Sequence, residues 1–76
     1  MSRVRKRSVT IGGHRTSYSI EDEFHTELTE LAMKRGIALA VLVAEIDATR
    51  PAGTNLSSAL RLFVLGSLKS GIGSQS

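Results

Sequence analysis

The chain has 76 residues, no cysteine and a net charge of +3. A chain this short forms one small domain whose core supplies little stability by itself, so association with a second copy is expected. The lack of cysteine excludes disulfides and thiolate metal sites, and two isolated histidines do not form a metal site, so no cofactor is expected. No apolar run reaches the ~20 residues of a membrane span. A secretory signal is not recognisable either, and we expect a cytoplasmic protein without membrane contact.

Positive charge is concentrated at the N-terminal end. The first twenty residues hold five of the ten Lys and Arg and no acid, whereas the remaining residues hold the other five and all seven acids. This asymmetry favours a polyanionic partner; the alternative is a solvated basic tail that only aids solubility. Residues 1–8 show no sustained hydrophobic period and are predicted as a flexible basic arm. The cations of this arm are Arg3, Arg5, Lys6 and Arg7.

A short segment of alternating polarity follows at residues 13–20 and is predicted as a β-strand. Tyr18 and Ile20 share one face, because side chains alternate along a strand. The opposite face carries a guanidinium and two hydroxyl groups, which are suited to reading hydrogen-bonding edges: Arg15, Ser17 and Ser19.

The preceding residues leave two interpretations open. Residues 8–11 also alternate, and Gly12 and Gly13 permit a turn. A local hairpin is therefore possible, and so is an extended arm in which only the second segment is paired.

Helix A is predicted to begin near Glu21 and to end before Gly36, a residue suited to a left-handed C-cap. Ser19 and Asp22 approximate a capping box at its start. Its apolar side chains recur every three or four positions and form one stripe: Ile20, Phe24, Leu28, Leu31 and Ala32.

Two further helices are predicted. Helix B covers about residues 39–48 and is apolar nearly all round, which indicates burial by a second copy. Helix C runs from about Asn55, a plausible N-cap, to residue 70. Residues 71–76 are predicted as a disordered tail, and residues 9–70 as the folded domain.

The order of strand, helix, glycine-ended turn and apolar helix resembles the ribbon-helix-helix family of the methionine and Arc repressors. The resemblance is carried by residues 15–20, by Ala32 and Gly36 at the end of helix A, and by the Leu39, Leu42, Val43, Ile46 spacing of helix B. Residues 6–11, 13–17 and 55–59 resemble a short bacterial subgroup. The resemblance implies a mainly α fold with one β-strand (β-α-α plus a C-terminal helix). It also implies a homodimer whose two chains pair their strands into an intermolecular antiparallel ribbon.

In this family the ribbon enters the major groove of double-stranded DNA, and its outward residues read bases. The resemblance therefore implies base contacts from Arg15, Ser17 and Ser19. Phosphate contacts are expected from the basic arm, from the turn and from the start of helix B, where Ala38 replaces the family's usual hydroxyl residue: Arg3, Arg5, Lys6, Arg7, His14, Ala38 and Leu39. The implied dimer core consists of Tyr18, Ile20, Phe24, Leu28, Leu31, Leu39, Leu42, Val43 and Ile46.

The implied function is sequence-specific DNA binding by a transcriptional repressor or autoregulator, with dimers that could assemble further on DNA. Two alternatives stay open: an antitoxin-type dimer that also binds a partner protein through helix C, and a protein-interaction dimer that does not bind DNA. An enzyme is not expected, because no nucleophile, base and orienting acid occur at a recognisable spacing.

Overall fold

The computed structural model describes residues 3–74, and it describes side chains as far as residue 70. Two strands are followed by three helices. The elements are β1 (Val4–Ile11), β2 (His14–Glu21), α1 (Asp22–Arg35), α2 (Leu39–Thr49) and α3 (Leu56–Ser74).

β1 and β2 form an antiparallel hairpin in which Arg7 lies opposite Tyr18 and Thr10 lies opposite Arg15. Gly12 (φ 57°) and Gly13 (φ 83°) form the two-residue connection. Two consecutive positive φ angles match the turn that suits the twist of a hairpin, and glycine adopts them without a Cβ clash.

The hairpin corrects two predictions. The expectation of one strand was wrong, because the described residues contain two strands. These two strands of the same chain pair with each other and form the ribbon seen in this structure. Pairing between two chains stays a prediction. Residues 4–8 were predicted as part of a flexible arm but lie in β1, and residues 1–2 lie outside the described residues.

α1 begins one residue later than predicted and has Glu21 as its N-cap, without a capping side-chain hydrogen bond. The predicted capping box of Ser19 and Asp22 was wrong, because Ser19 belongs to β2. The C-terminal prediction is confirmed: Gly36 adopts φ 68°, and Ile37 N–H donates to the Ala32 carbonyl at 3.0 Å. This left-handed cap turns the chain towards α2.

The other two helices are slightly longer than predicted. α2 begins at Leu39 as expected and ends at Thr49. At the start of α3, Ser58 N–H donates to Asn55 Oδ1 at 2.8 Å, which confirms Asn55 as the cap. The backbone of α3 continues to Ser74, so residues 71–74 are helical rather than disordered, and residues 75–76 lie outside the described part. None of the helices in the described residues is long and apolar enough to cross a membrane.

One core joins the inner face of the hairpin to all three helices. The buried side chains are Tyr18, Ile20, Leu28, Ala32, Leu42, Val43, Ile46, Leu56, Ala59, Leu60 and Val64. Six of the nine residues predicted for a dimer core are therefore buried within one chain, and Phe24, Leu31 and Leu39 pack against it partly buried. Their place at a dimer interface stays a prediction. α2 keeps an apolar surface outside this core, since Val41 is 46% exposed.

Candidate nucleic-acid interface

The outer face of the hairpin carries polar side chains from both strands. The register places Lys6 opposite Ser19, Ser8 opposite Ser17, and Thr10 opposite Arg15. Residues directly opposite each other share a face, and all six of these alternate with the residues that pack on the helices. Five of the six are exposed and Ser19 is half-buried. We call this surface the outer hairpin face; it comprises Lys6, Ser8, Thr10, Arg15, Ser17 and Ser19.

The structure thus brings together the three residues predicted to contact bases. Within the described residues, the Arg15 side chain makes no hydrogen bond or ion pair, and neither do the hydroxyls of Ser8, Thr10 and Ser17. These groups are available to a ligand without breaking a contact of the fold. Their role in base reading stays a prediction.

α3 holds the end of β2 through Ser19. The Ser19 N–H donates to Ser57 Oγ at 2.9 Å, and Arg61 donates from Nη2 to the Ser19 carbonyl at 3.4 Å. Arg61 also binds Glu21 Oε1 through Nε at 2.9 Å. Its hydrogen bond is the main cause that lowers the pKa of the Glu21 carboxyl. The outward edge of β2 is therefore occupied at Ser19, and α3 fixes the orientation of the hairpin.

Two cations of the predicted arm lie on the inner face instead. Arg5 Nε and Arg7 Nη2 both contact Asp22 Oδ1, at 3.2 and 3.3 Å. Arg7 lies opposite the buried Tyr18, and its Nε is buried without a hydrogen-bond partner. Burial raises the pKa of the Tyr18 phenol, while the charge of Arg7 acts in the opposite direction. Arg5 and Arg7 are not on the outer hairpin face, because Asp22 holds them on the side of the helices.

The remaining predicted contacts flank the hairpin. Arg3 and His14 are exposed, and their positions alternate with those of the outer hairpin face. The Arg3 carbonyl accepts a hydrogen bond from the Asp22 N–H at 3.2 Å, which continues the pairing of the two strands by one residue.

The first turn of α2 lies beside the tip of the hairpin. A shallow groove of about 510 Å³ is lined by Ser8, Val9, Thr10, Arg15 and Ala40. Ala38 is the N-cap of α2 and provides no side-chain cap, and the first turn contains no acidic residue. Free N–H groups at a helix N-terminus attract anions. Arg15 and the hydroxyls of Ser8 and Thr10 thus share a groove with Ala40, which follows the predicted phosphate contacts Ala38 and Leu39 in the first turn of α2.

A protein-family model, the ribbon-helix-helix domain, matches residues 4–68. The chain belongs to the ribbon-helix-helix family. Neither the curated proteins nor the solved structures gave a match. Ribbon-helix-helix domains are generally DNA-binding transcription regulators or antitoxins, bind DNA as dimers and are typically not enzymes. No cluster of metal-ligating side chains occurs among the described residues of this ribbon-helix-helix chain.

Sequence reasoning missed the contribution of β1 to the outer hairpin face. Residues 6, 8 and 10 are all polar, and that alternation together with two adjacent glycines was the available signal. Ser57 and Arg61 were also missed. They lie 38 and 42 residues from Ser19, and no local pattern reveals contacts at that separation.

Proposed function

We propose that this protein is a sequence-specific double-stranded DNA-binding protein that acts as a transcriptional repressor or autoregulator. The observation that supports this most directly is the unpaired Arg15 on an exposed, polar ribbon face. The major groove, about 12 Å wide, admits a two-stranded ribbon, whose strands lie about 4.8 Å apart. Membership of the ribbon-helix-helix family supports the same reading.

Arg15 is the residue best suited to select a base. Its guanidinium can donate two hydrogen bonds to the O6 and N7 atoms of guanine, which discriminates by about 1–3 kcal/mol against other bases. Ser17 and Ser19 can donate or accept, so they discriminate less. Because the Ser19 backbone is fixed by α3, β2 is held in place before DNA binds, and little ordering entropy is lost on binding.

Phosphate contacts would hold the ribbon in the groove. The uncapped first turn of α2 offers the N–H groups of Ala38 and Leu39, and Lys6 projects from the outer hairpin face. Arg3 and His14 are exposed beside it. The absence of a hydroxyl at Ala38 removes one donor, while Thr10 and Ser8 line the same groove and can supply hydroxyls there. Such contacts add affinity without sequence information.

We expect a homodimer in the cytoplasm. Large apolar side chains remain exposed on α2 and α3, namely Val41, Leu62, Leu65 and Leu68, at 46–60%. A chain of this size gains stability by covering such surface with a second copy. Additional dimers could then bind along the DNA.

A second candidate is an antitoxin-type dimer that binds DNA and a partner protein. The observation that favours it is the spacing of Leu62, Leu65 and Leu68, which repeat every three residues along one side of α3 and are 46–60% exposed. Leu62 also lines a groove together with Ile46, Pro51 and Phe63. A protein that copurifies with the chain and dissociates when Leu62 and Leu65 are replaced would favour this candidate.

The decisive experiment is selection of bound fragments from sheared genomic DNA at about 150 mM salt. Wild type, Arg15→Ala, Arg15→Lys and Lys69→Ala are compared. Lys69 is an exposed cation near the end of α3, so Lys69→Ala removes the same charge far from the hairpin. We expect wild type and Lys69→Ala to enrich the same short motif, and Arg15→Ala to lose about 10- to 100-fold in preference for it.

Arg15→Lys separates base reading from charge. Lysine keeps the attraction to phosphates but lacks the planar fork, so bulk DNA binding should persist while the preference for guanine declines. If wild type enriches no sequence, and all four proteins bind DNA alike, the proposed function is wrong. A dimer that acts only through protein contacts would then be favoured.

A further inference from the structure

The two strands of the hairpin differ in what covers their outward edges. In a hairpin with a two-residue connection, Ile11 and His14 exchange hydrogen bonds, and every second pair along the ladder does the same. The backbone groups of the alternate residues point away from the partner strand. The contacts of Ser19 agree with this pattern, because Ser57 and Arg61 of α3 bind its N–H and carbonyl from outside the hairpin.

The outward edge of β1 has no such cover. It presents the backbone N–H and carbonyl groups of four residues: Val4, Lys6, Ser8 and Thr10. We call these groups the β1 edge. None of them makes a hydrogen bond among the described residues, although α2 packs against β1. β1 pairs over eight residues in continuous register and contains no proline, and an exposed edge of this kind can take up a further strand.

The groove beside α2 runs along the β1 edge. Its lining includes three consecutive residues of β1, together with Arg15 and Ala40: Ser8, Val9 and Thr10. Successive side chains of a strand point to opposite faces, so a groove that touches three in a row lies at the edge of the strand. Ala40 of α2 is exposed and small, which leaves room for an added strand on the side of the helices.

The charge around the β1 edge favours an acidic strand. Residues 3–15 contain five cations and no acid, and the first turn of α2 adds the positive end of a helix dipole without an acidic residue. Asp22 contacts Arg5 and Arg7 and offsets only part of this charge. A second copy of β1 would add three more cations, and lysine on an edge strand counteracts pairing between identical chains.

We propose that the β1 edge is a docking site for an extended acidic segment of a partner protein, which adds to the hairpin as a third strand. Hydrogen bonds to the backbone of β1 supply affinity, and a carboxylate next to Lys6 supplies preference for acidic sequences. This interaction goes beyond the proposed function and does not depend on DNA binding.

A third strand also has a consequence for the proposed function. It widens the ribbon by about 4.8 Å, whereas the major groove accommodates a ribbon of two strands. Carboxylates beside Lys6 would in addition repel the phosphates of DNA. The acidic segment therefore competes with DNA for the hairpin, and this consequence rests on the proposed function.

The probe is a blocked peptide of alternating threonine and glutamate, Ac-(Thr-Glu)4-amide, which matches β1 in length. Its control is Ac-(Pro-Glu)4-amide, which has the same charge but cannot join a strand ladder, because proline lacks the N–H. Fluorescence anisotropy measures the affinity of each labelled peptide for the full chain at about 150 mM salt.

Variants of the chain locate the contact. Ser8→Pro removes an N–H of the β1 edge and leaves the hydrogen bonds of the hairpin in place, whereas Ser17→Pro makes the same change on the outward edge of β2, directly opposite. Lys6→Glu reverses a charge at the β1 edge, and Lys69→Glu reverses an exposed charge near the end of α3. Circular dichroism verifies that each variant folds.

We expect wild type to bind the threonine peptide at least about 10-fold more tightly than the proline peptide, since several backbone hydrogen bonds distinguish them. Ser8→Pro should weaken binding by about 2- to 10-fold and Ser17→Pro should not. Lys6→Glu should weaken binding more than Lys69→Glu. Hydrogen exchange followed by NMR on wild type needs no variant: the amides of Lys6, Ser8 and Thr10 should exchange rapidly in the free chain and become protected by the threonine peptide.

Two results would overturn the inference. Equal affinity for the two peptides would mean that charge alone attracts them. Protection of the same three amides without peptide, increasing with protein concentration, would mean that a second copy occupies the β1 edge.

A DNA arm tests the competition separately. The threonine peptide, but not the proline peptide, should displace wild type from labelled genomic DNA fragments, and simultaneous binding of peptide and DNA would contradict the competition. A chain that binds the threonine peptide at the β1 edge but binds no DNA would refute the proposed function and leave the docking site standing.

Discussion

The hydrogen bond from the Ser19 N–H to Ser57 Oγ is the contact whose removal best tests how α3 holds the hairpin. Ser57→Ala deletes the acceptor and leaves a half-buried backbone donor unsatisfied. Ser58→Ala is the matched control, because Ser58 is the next residue in the first turn of α3 and its hydroxyl makes no hydrogen bond among the described residues.

The expected loss follows from the geometry of this contact. The bond is 2.9 Å long and is partly buried. A neutral hydrogen bond contributes about 0.5–1.5 kcal/mol, and a buried orphaned donor costs about 1–3 kcal/mol. Since water can partly reach this site, we expect about 1 kcal/mol. Replacing serine by alanine also favours the helix by a few tenths of a kcal/mol, but this gain is common to Ser57→Ala and Ser58→Ala and cancels in their difference.

Urea unfolding measures this difference. For a domain of this size the free energy of unfolding falls by about 1 kcal/mol per molar urea, so the midpoint of Ser57→Ala should lie about 1 M below that of Ser58→Ala. Equal midpoints would refute the argument, since they would mean that water replaces Ser57 at no cost. The slopes should agree, because neither change alters the surface exposed on unfolding.

Two further predictions concern the core and the pH dependence of stability. Leu60 is fully buried and Met33 on α1 is 74% exposed, so Leu60→Ala should lower the free energy of unfolding by about 2–5 kcal/mol and Met33→Ala by about 0.5 kcal/mol or less, and similar losses for both would show that the core is misassigned. Partial burial, and then the nearby charge of Arg7, lower the pKa of His25 below its ordinary value of 6.5, while Asp22 acts in the opposite direction. The unfolded chain therefore binds the proton more tightly, and the stability of the fold decreases as the pH drops below about 6.5. Thermal unfolding at about pH 7.5 and pH 5 measures how much stability is lost in acid. This loss should be smaller for His25→Gln than for wild type, with His14→Gln as the control. If His25→Gln loses as much stability between about pH 7.5 and pH 5 as wild type does, His25 is not a source of the pH dependence.

The helices could be predicted from the sequence because their signals are local. Apolar residues recur at helical spacing, Gly36 has the left-handed angle that its position after Lys34 and Arg35 indicated, and Asn55 caps α3 as expected. The start of α1 was less accurate. Ser19 had the right spacing from Asp22 for a capping box, but its backbone is held in β2 by α3, so a tertiary contact overrides the local preference.

The first strand could not be predicted with the same ease. Lys6 belongs to a residue type that is depleted in strands, and the acid that contacts both Arg5 and Arg7 is Asp22, which lies in α1. The alternating sequence of residues 8–11 left a hairpin as one interpretation, but the local sequence shows neither the two ion pairs with Asp22 nor the packing of the inner face that accompany pairing as far as Val4. The alternation of β2 did predict its two faces: Tyr18 and Ile20 are buried, whereas Arg15 and Ser17 on the opposite face are exposed.

The division of cations between the two faces of the hairpin links folding to the proposed recognition. Asp22 holds Arg5 and Arg7 on the helical side, where they stabilise the junction between β1 and α1. Lys6 and Arg15 remain on the outer hairpin face without an ion pair among the described residues. Asp22 offsets part of the positive charge of the inner pair, and only one cation from each strand is left on the outer hairpin face, which lowers the repulsion between two strands rich in positive charge. These two outer cations lie at opposite ends of that face, Lys6 beside Ser19 and Arg15 beside Thr10. The basic segment that first suggested a flexible arm thus stabilises the fold through Arg5 and Arg7 and faces the proposed DNA ligand with Lys6 and Ser8.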